Sequence, residues 1–188
     1  RRKILITTKD IIIDPHDTLR ARAEEVKAPI SDEDKATLRG LLEYVIASQD
    51  DEKAEKLGLK PGIGLAAPQI NVSKRMIAVH IPDDENPENT VSYALYNPKI
   101  ISNSVAKCYL ASGEGCLSVD KEIQGYVPRY SRIKVVGYNE NNEKITLTLT
   151  DLPSICFQHE IDHLNGIMFY DHINKENPFD VPAEYEKL

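Results

Sequence analysis

The segment that most constrains this chain is a His-Glu-Ile-Asp-His sequence at residues 159–163, between Pro153 and Gly166. Proline is tolerated in the first turn of a helix, and glycine commonly follows the last turn. These flanking residues predict a helix from about Pro153 to Asn165. A step of four residues returns to the same helix face, so both imidazoles point in one direction. The fold must therefore place this helix face at a site that both imidazoles can reach.

Two histidines at this spacing can bind one metal ion, and Glu160 could take a proton from water bound to that ion. The alternative is a pair of surface histidines on an ordinary helix. Ile161 and Leu164 lie beside the histidine face and indicate that the helix is buried. Because buried histidines need partners, the pattern favours His159 and His163 as metal ligands.

A catalytic metal ion usually takes three protein ligands, and the source of the third is less obvious. The longer zinc-protease pattern would place a histidine at position 169, where this chain has Phe169. Cys116, within Gly-Glu-Gly-Cys-Leu-Ser at 113–118, offers a thiolate that suits a divalent first-row metal. Its other interpretation is a small buried hydrophobic residue, which we assign to Cys108 and Cys156. We expect His172 to be an ordinary surface residue.

The remaining pattern predicts an α+β fold with mostly antiparallel sheets around the central metal-binding helix. Ser31 begins an N-terminal helix with an apolar face, which we expect to pack on the sheets. Alternating residues predict strands at 76–81 and from 93, and a hairpin across 133–149. We expect a shaped loop at the glycine-rich residues 62–69 and a solvated connection at the acidic residues 50–52.

Charge and cysteine content exclude several classes of protein. The 188 residues include 23 basic and 30 acidic side chains, a net charge of −7, which argues against broad contact with nucleic-acid phosphates. Three cysteines are too few for a disulfide framework. No segment approaches the roughly 20 apolar residues of a membrane span. We expect a single cytoplasmic domain over residues 1–188, with no membrane partner and no sequence-specific nucleic-acid binding.

Three segments, taken together, resemble the motifs of peptide deformylase and occur in that family's order. They are Gly-Ile-Gly-Leu-Ala-Ala-Pro-Gln at 62–69, Glu-Gly-Cys-Leu-Ser at 114–118 and Gln-His-Glu-Ile-Asp-His at 158–163. The segment at 50–60 and the continuation Leu-Asn-Gly after His163 resemble the longer type 2 form of Gram-positive bacteria. The resemblance spans nearly the whole chain.

The resemblance implies a metal-dependent hydrolase that removes the N-formyl group from the formyl-methionine of nascent chains and releases formate. Cys116, His159 and His163 would hold one divalent ion, natively ferrous iron, with nickel, cobalt or zinc able to replace it. Water on that ion would attack the formyl carbon, with Glu160 as general base and then acid. The family's oxyanion donors align with the Gln69 side chain and the Leu117 N–H.

The resemblance also implies a binding site for the peptide substrate. Gly64 and neighbouring main chain would hold the peptide as an added strand. The residues implied to contact the methionine side chain form a mostly apolar set: Ile63, Leu152, Ile155, Cys156 and His159. Arg129 is expected to pair with Glu114 as a brace. The ribosome, near its exit tunnel, is an expected partner because the substrate emerges there.

Three other functions compete with this interpretation. A zinc endopeptidase could use the same helix, although Phe169 occupies the position of its third histidine. In a structural metal module, Glu160 would have no purpose. Cys116 could instead be a covalent nucleophile with a histidine partner, in which case its thiolate would not be bound to a metal.

Overall fold

The computed structural model describes residues 3–188, and its helices lie near both ends of the chain. Within that range the α-helices are α1 (Asp17–Arg20), α2 (Asp32–Ser48), α3 (Asp51–Leu57) and α4 (Asp151–Leu164). Short 3-10 turns occur at Thr8–Asp10, Ala67–Ile70, Pro87–Asn89 and Phe169–His172. No helix among these residues is both long and apolar enough to cross a membrane.

Eight strands form two sheets in the described part of the chain. The strands are β1 (Gly64–Ala66), β2 (Met76–Ile81), β3 (Val91–Asn103), β4 (Lys107–Tyr109), β5 (Arg129–Tyr130), β6 (Arg132–Tyr138), β7 (Lys144–Thr150) and β8 (Glu186–Lys187). The larger sheet has the order β1-β2-β3-β6-β7, and the smaller has the order β5-β4-β8. Every pair in the larger sheet is antiparallel, which confirms the predicted α+β class.

The larger sheet is covered by a helix on each face. Alternate residues of β2 separate the two layers, because side chains in a strand point to opposite faces in turn. Met76 and Ala78 join the core cluster under α2, whereas Ile77 and Val79 join the cluster under α4. Each fully buried Met, Ile or Val side chain here contributes about 1.5–3 kcal/mol. The N-terminal helix α2 therefore packs on the sheet as predicted.

Helix α4 also contacts the smaller sheet, and this gives it the predicted central position. The Gln158 side chain accepts a hydrogen bond from the Tyr130 N–H at 3.0 Å and donates one to the Tyr130 carbonyl at 2.9 Å. The helix begins at Asp151, two residues earlier than the proline signal predicts. Its last turn is followed by Gly166, with φ of 71°, as the pattern requires.

Two local predictions are wrong. The glycine-rich segment 62–69 is not simply a loop, because Gly64–Ala66 forms strand β1, paired in register with Ala78 and its neighbours in β2. The acidic segment 50–52 does not form a plain connection. Asp50 caps α3 by accepting a hydrogen bond from the Lys53 N–H at 3.0 Å, and Gly58 ends that helix with φ of 65°.

Candidate active site

Two separate elements supply the three predicted metal ligands. His159 and His163 lie on α4, and Cys116 lies on the loop between β4 and β5. One ligand atom from each residue lies within 4.8 Å of the other two, and the Cys116 Sγ is 3.4 Å from His163 Nε2. A sulfur and two imidazole nitrogens at such distances form a site for one divalent metal ion.

The ring of His159 is fixed by a buried carboxylate behind it. Its Nδ1 lies 2.9 Å from Glu114 Oε1, which leaves Nε2 for a metal ion. Arg129 donates two hydrogen bonds of 2.9 Å to Glu114, one to each carboxylate oxygen, as the sequence analysis expected. Burial would raise the pKa of Glu114, but the Arg129 charge and these hydrogen bonds hold it at about 2. Glu114 is therefore a permanent anion behind His159.

The two histidines differ in their electrostatic surroundings. Burial would lower the pKa of His159, but its hydrogen bonds to Cys116 and Glu114 outweigh that effect and raise it. Burial and the nearby charge of His159 both lower the pKa of His163. His163 Nδ1 is buried and has no hydrogen-bond partner in residues 3–188. A neutral His163 next to a thiol suits metal binding, because ligands coordinate in their deprotonated forms.

Glu160 is enclosed against the first motif. The residue is 4% exposed, and its Oε1 has no hydrogen-bond partner among the described residues. Burial raises the pKa of this carboxyl to about 7, although the charge of His159 opposes the shift. A group with this pKa can both accept and return a proton at neutral pH.

The Gln69 amide is held at both ends. Its Oε1 accepts a hydrogen bond from the Ala66 N–H at 2.9 Å, and its Nε2 donates to Ser118 Oγ at 3.2 Å and Cys116 Sγ at 3.5 Å. The NH₂ group is therefore aimed at the ligand cluster. The Leu117 N–H donates no hydrogen bond to any residue in the range 3–188, so it is free for a bound molecule.

A cleft of about 560 Å³ brings the predicted residues together. Every predicted site residue except His163 lines this cleft, and His163 lies buried beneath its surface. The predicted residues in the walls are Ile63, Gly64, Gln69, Cys116, Leu117, Leu152, Ile155, Cys156, His159 and Glu160. The Cys156 thiol has a pKa raised well above its usual value, by burial first and by the Glu160 charge second. It is therefore a neutral part of the wall.

Sequence reasoning missed three supporting residues. Ser118 holds the Gln69 amide, and Gln49 donates to the Gly62 carbonyl at 3.0 Å, next to the cleft. Asp162 accepts a hydrogen bond of 2.7 Å from Arg129. Asp162 could have been suspected, because a carboxylate three residues after His159 lies near the same helix face. Ser118 lies within the motif at 114–118 but had no role assigned to it, and nothing local in the sequence indicates Gln49.

Comparison with known families gives one consistent result. The family model described as polypeptide deformylase matches residues 8–179. Among curated relatives, Peptide deformylase 2 of Geobacillus stearothermophilus is 62% identical over 178 residues, covering 95% of this chain and 96% of that protein. Peptide deformylase 2 of Bacillus subtilis is 57% identical over the same coverage. These relatives confirm the resemblance to the Gram-positive type.

Solved structures agree in fold. A peptide deformylase from Ehrlichia chaffeensis superposes with a TM-score of 0.73 at 28% identity, covering 92% of this chain and 90% of that one. A Met-Ala-Ser-bound class I type b peptide deformylase from Acinetobacter baumannii gives 0.69 at 28% identity, covering 92% and 100%. The family model and the curated relatives match nearly the full chain, and they show that the chain belongs to the polypeptide deformylase family, the metal-dependent hydrolases that remove the N-formyl group from nascent peptides.

Proposed function

We propose that this chain deformylates formyl-methionyl peptides with Glu160 as general base and acid, and with Gln69 and the Leu117 N–H as oxyanion donors. The observation that carries the proposal is the position of these groups in one cleft beside the Cys116, His159 and His163 cluster. A structural metal module would have no use for a buried carboxylate with a pKa of about 7. An endopeptidase with a third histidine is not supported, because Phe169 is buried and stacks on the His159 ring.

Cys116, His159 and His163 would hold a divalent ion, which would supply Lewis-acid activation of water at neutral pH. Glu160 takes a proton from the water that attacks the formyl carbon. It then returns the proton to the methionine nitrogen as the C–N bond breaks, and formate leaves. A carboxyl with a pKa of about 7 is matched to both transfers.

Negative charge develops on the formyl oxygen during this attack and needs donors already in place. The Leu117 N–H is free among the described residues, and the Gln69 amide is fixed through Ala66 and Ser118. Because the donors are held before the reaction, little reorganisation is needed. Each donor of this kind contributes about 3–4 kcal/mol.

The substrate backbone has a sheet edge to bind. Strand β1 is the edge strand of the larger sheet, and its first residue, Gly64, lines the cleft, so an added peptide strand binds at this end of β1. The pocket for the methionine side chain is formed by Ile63, Leu152, Ile155, Cys156 and the His159 ring. The related Acinetobacter structure is described as bound to Met-Ala-Ser, which supports this assignment.

We further propose ferrous iron as the native ion, with nickel, cobalt or zinc able to replace it. One thiolate and two imidazoles suit all four metals, and the family resemblance favours iron. The proposed place of action is the cytoplasm beside the ribosomal exit tunnel, because formyl-methionine is first accessible there. A reducing compartment also keeps the Cys116 thiol available for the metal.

Formate release tests this function directly. Protein purified without oxygen should release formate from formyl-Met-Ala-Ser and contain about one iron per chain. Acetyl-Met-Ala-Ser and an internal peptide bond serve as controls, and neither should be cleaved. Cleavage of the internal bond without formate release would instead support the endopeptidase. Stoichiometric zinc with full turnover would contradict the iron assignment alone.

Gly64 allows a second test, because its backbone lies directly against the general base. A Cβ added at this position would lie 2.5 Å from Glu160 Oε2 and 2.9 Å from two carbons of that side chain. The Gly64→Ala variant should therefore displace the carboxylate, and we expect kcat to fall about 100-fold, as for a catalytic group moved by about 1 Å. Metal content, measured by elemental analysis, should remain unchanged. Wild-type kcat in this variant would show that Glu160 need not be fixed.

A further inference from the structure

A continuous line of hydrogen-bonded side chains leads from the protein surface to the ligand His159. Its outer member is His172, whose Nε2 lies 2.8 Å from Asp162 Oδ2. The same oxygen accepts a hydrogen bond of 2.7 Å from Arg129 Nη1. Arg129 Nε and Nη2 donate to the two carboxylate oxygens of Glu114, and Glu114 Oε1 lies 2.9 Å from His159 Nδ1. Five side chains thus connect a surface imidazole to the metal site.

The outer two side chains of this line are partly exposed, and the next two are buried. The side chain of His172 is 35% exposed and that of Asp162 is 19% exposed, whereas Arg129 and Glu114 are 3% and 5% exposed. A buried guanidinium that bonds two carboxylates depends on both being in place, because its donors lie in one rigid plane. If Asp162 moves, the orientation of Arg129 and of Glu114 behind the ligand is less well fixed.

Asp162 is the weakest point of the network. A single oxygen, Oδ2, receives both Arg129 and His172, and Asp162 is the more exposed of the two carboxylates. Without the His172 donor, water would compete for that oxygen from the open side, and Arg129 alone would hold it. The His172 imidazole therefore keeps water away from Asp162 Oδ2.

The short turn that carries His172 contacts His159 by a second route. Phe169, at the start of the same 3-10 turn, stacks on the His159 ring with a centroid distance of 6.1 Å and an interplanar angle of 14°. Asp171 fixes the turn by accepting bonds from the Met168 N–H at 2.9 Å and from Arg20 at 2.6 Å. One rigid segment thus touches the ligand ring directly and also supports the network behind it.

We propose that His172 is a positioning residue for the metal centre, acting on His159 through Asp162, Arg129 and Glu114. This inference rests on the proposed metal site and extends it to a residue that looks ordinary from the sequence alone. Partners that orient a metal-bound histidine commonly change metal affinity or activity by 10- to 100-fold. Since His172 acts through three intervening side chains, we expect an effect at the lower end of that range.

The test uses the cobalt(II)-loaded enzyme, whose visible absorption reports ligand geometry without any substrate. His172→Leu removes the donor, and His172→Gln keeps an N–H at similar reach. We expect His172→Leu to shift the cobalt absorption bands and to release cobalt to EDTA about tenfold faster. His172→Gln should remain within about twofold of wild type. His80→Leu is the matched control, because its ring bonds only Ser92 among the described residues.

Two results would overturn the proposal. Either His172→Leu matches wild type in both spectrum and release rate, or His172→Gln is as impaired as His172→Leu, which would show that the donor is not responsible. Circular dichroism and thermal unfolding of each loaded variant check the fold, and the glutamine variant keeps the test decisive if the leucine variant unfolds. If the spectra and release rates follow the expected order but the wild-type enzyme releases no formate from formyl-Met-Ala-Ser, the result counts against the proposed function alone.

Discussion

Glu160→Gln should abolish turnover and leave the metal bound. The amide cannot accept the proton of the attacking water, and a well-placed general base contributes about 10²–10⁴-fold. We expect kcat on formyl-Met-Ala-Ser to fall at least about 10³-fold, since the same group serves in two successive proton transfers. Elemental analysis should show wild-type metal content, because Glu160 is not among the proposed ligands Cys116, His159 and His163. Substantial turnover in the glutamine variant would exclude the proposed mechanism.

The same substitution should stabilise the metal-free fold at alkaline pH. The folded-state pKa of Glu160 is about 7, above its ordinary value of 4.5, so the folded state retains a proton that the unfolded state has lost. The contribution of Glu160 to the free energy of unfolding therefore falls as the pH rises from about 4.5 to 7, and it is lowest above pH 7. The difference between the folded and unfolded pKa values corresponds to about 3 kcal/mol of stability.

Urea unfolding of the metal-free proteins measures this effect. Glu160→Gln should have a higher midpoint than wild type at pH 8 and a similar midpoint near pH 4.5. A glutamine variant that is less stable at pH 8 would show that the carboxylate is well solvated or paired in the native state. The comparison separates the electrostatic cost of the buried base from its catalytic role.

Cys116→Ala should lose both metal and activity. The substitution removes one of three ligands, and the two imidazoles that remain cannot retain an ion tightly against EDTA. We expect metal content below about a tenth of wild type and no measurable formate release, since removal of ligands or their supports reduces affinity by orders of magnitude. Cys108→Ala is the matched control. That side chain is fully buried but lies outside the cleft, so the variant should keep its metal and its turnover.

Alkylation gives an independent check on Cys116. In the metal-loaded enzyme its thiolate is committed to the ion, so iodoacetamide should react slowly, and prior treatment with EDTA should accelerate the reaction. Rapid alkylation of the loaded enzyme with matching loss of activity would instead support a covalent cysteine mechanism. Peptide mapping identifies which cysteine has reacted.

The sequence predicts well which side chains cluster at the candidate metal site, because helix spacing is a local property. The four-residue step from His159 to His163 determines which way both rings point before any tertiary contact is known. Cys116 is also accessible to sequence reasoning, since the ligand count leaves one position to fill. The family resemblance adds Gln69 and Leu117, which the structure places at the same cleft.

The errors occur where structure depends on distant partners or on capping. Gly64–Ala66 is a strand because β2 pairs with it, and its own glycine-rich sequence gives no indication of that partner. Helix α3 has no buried residue, so apolar periodicity cannot reveal it. Its local signals are instead the Asp50 cap and the left-handed Gly58. His172 looks ordinary because its partner Asp162 is ten residues away, across a turn.

Arg129 has a consequence for how such a chain can change over generations. It connects Glu114 of one motif with Asp162 of another, although it belongs to neither motif. Replacing Arg129 leaves the buried Glu114 and its neighbour Asp162 without their shared cation, and breaking a buried pair in this way typically costs 3–5 kcal/mol. Replacing either carboxylate alone still leaves Arg129 one partner, so these positions can change more easily than Arg129 itself. Natural variants should therefore keep Arg129 wherever both carboxylates are present, even though the three residues lie on three different segments of the chain.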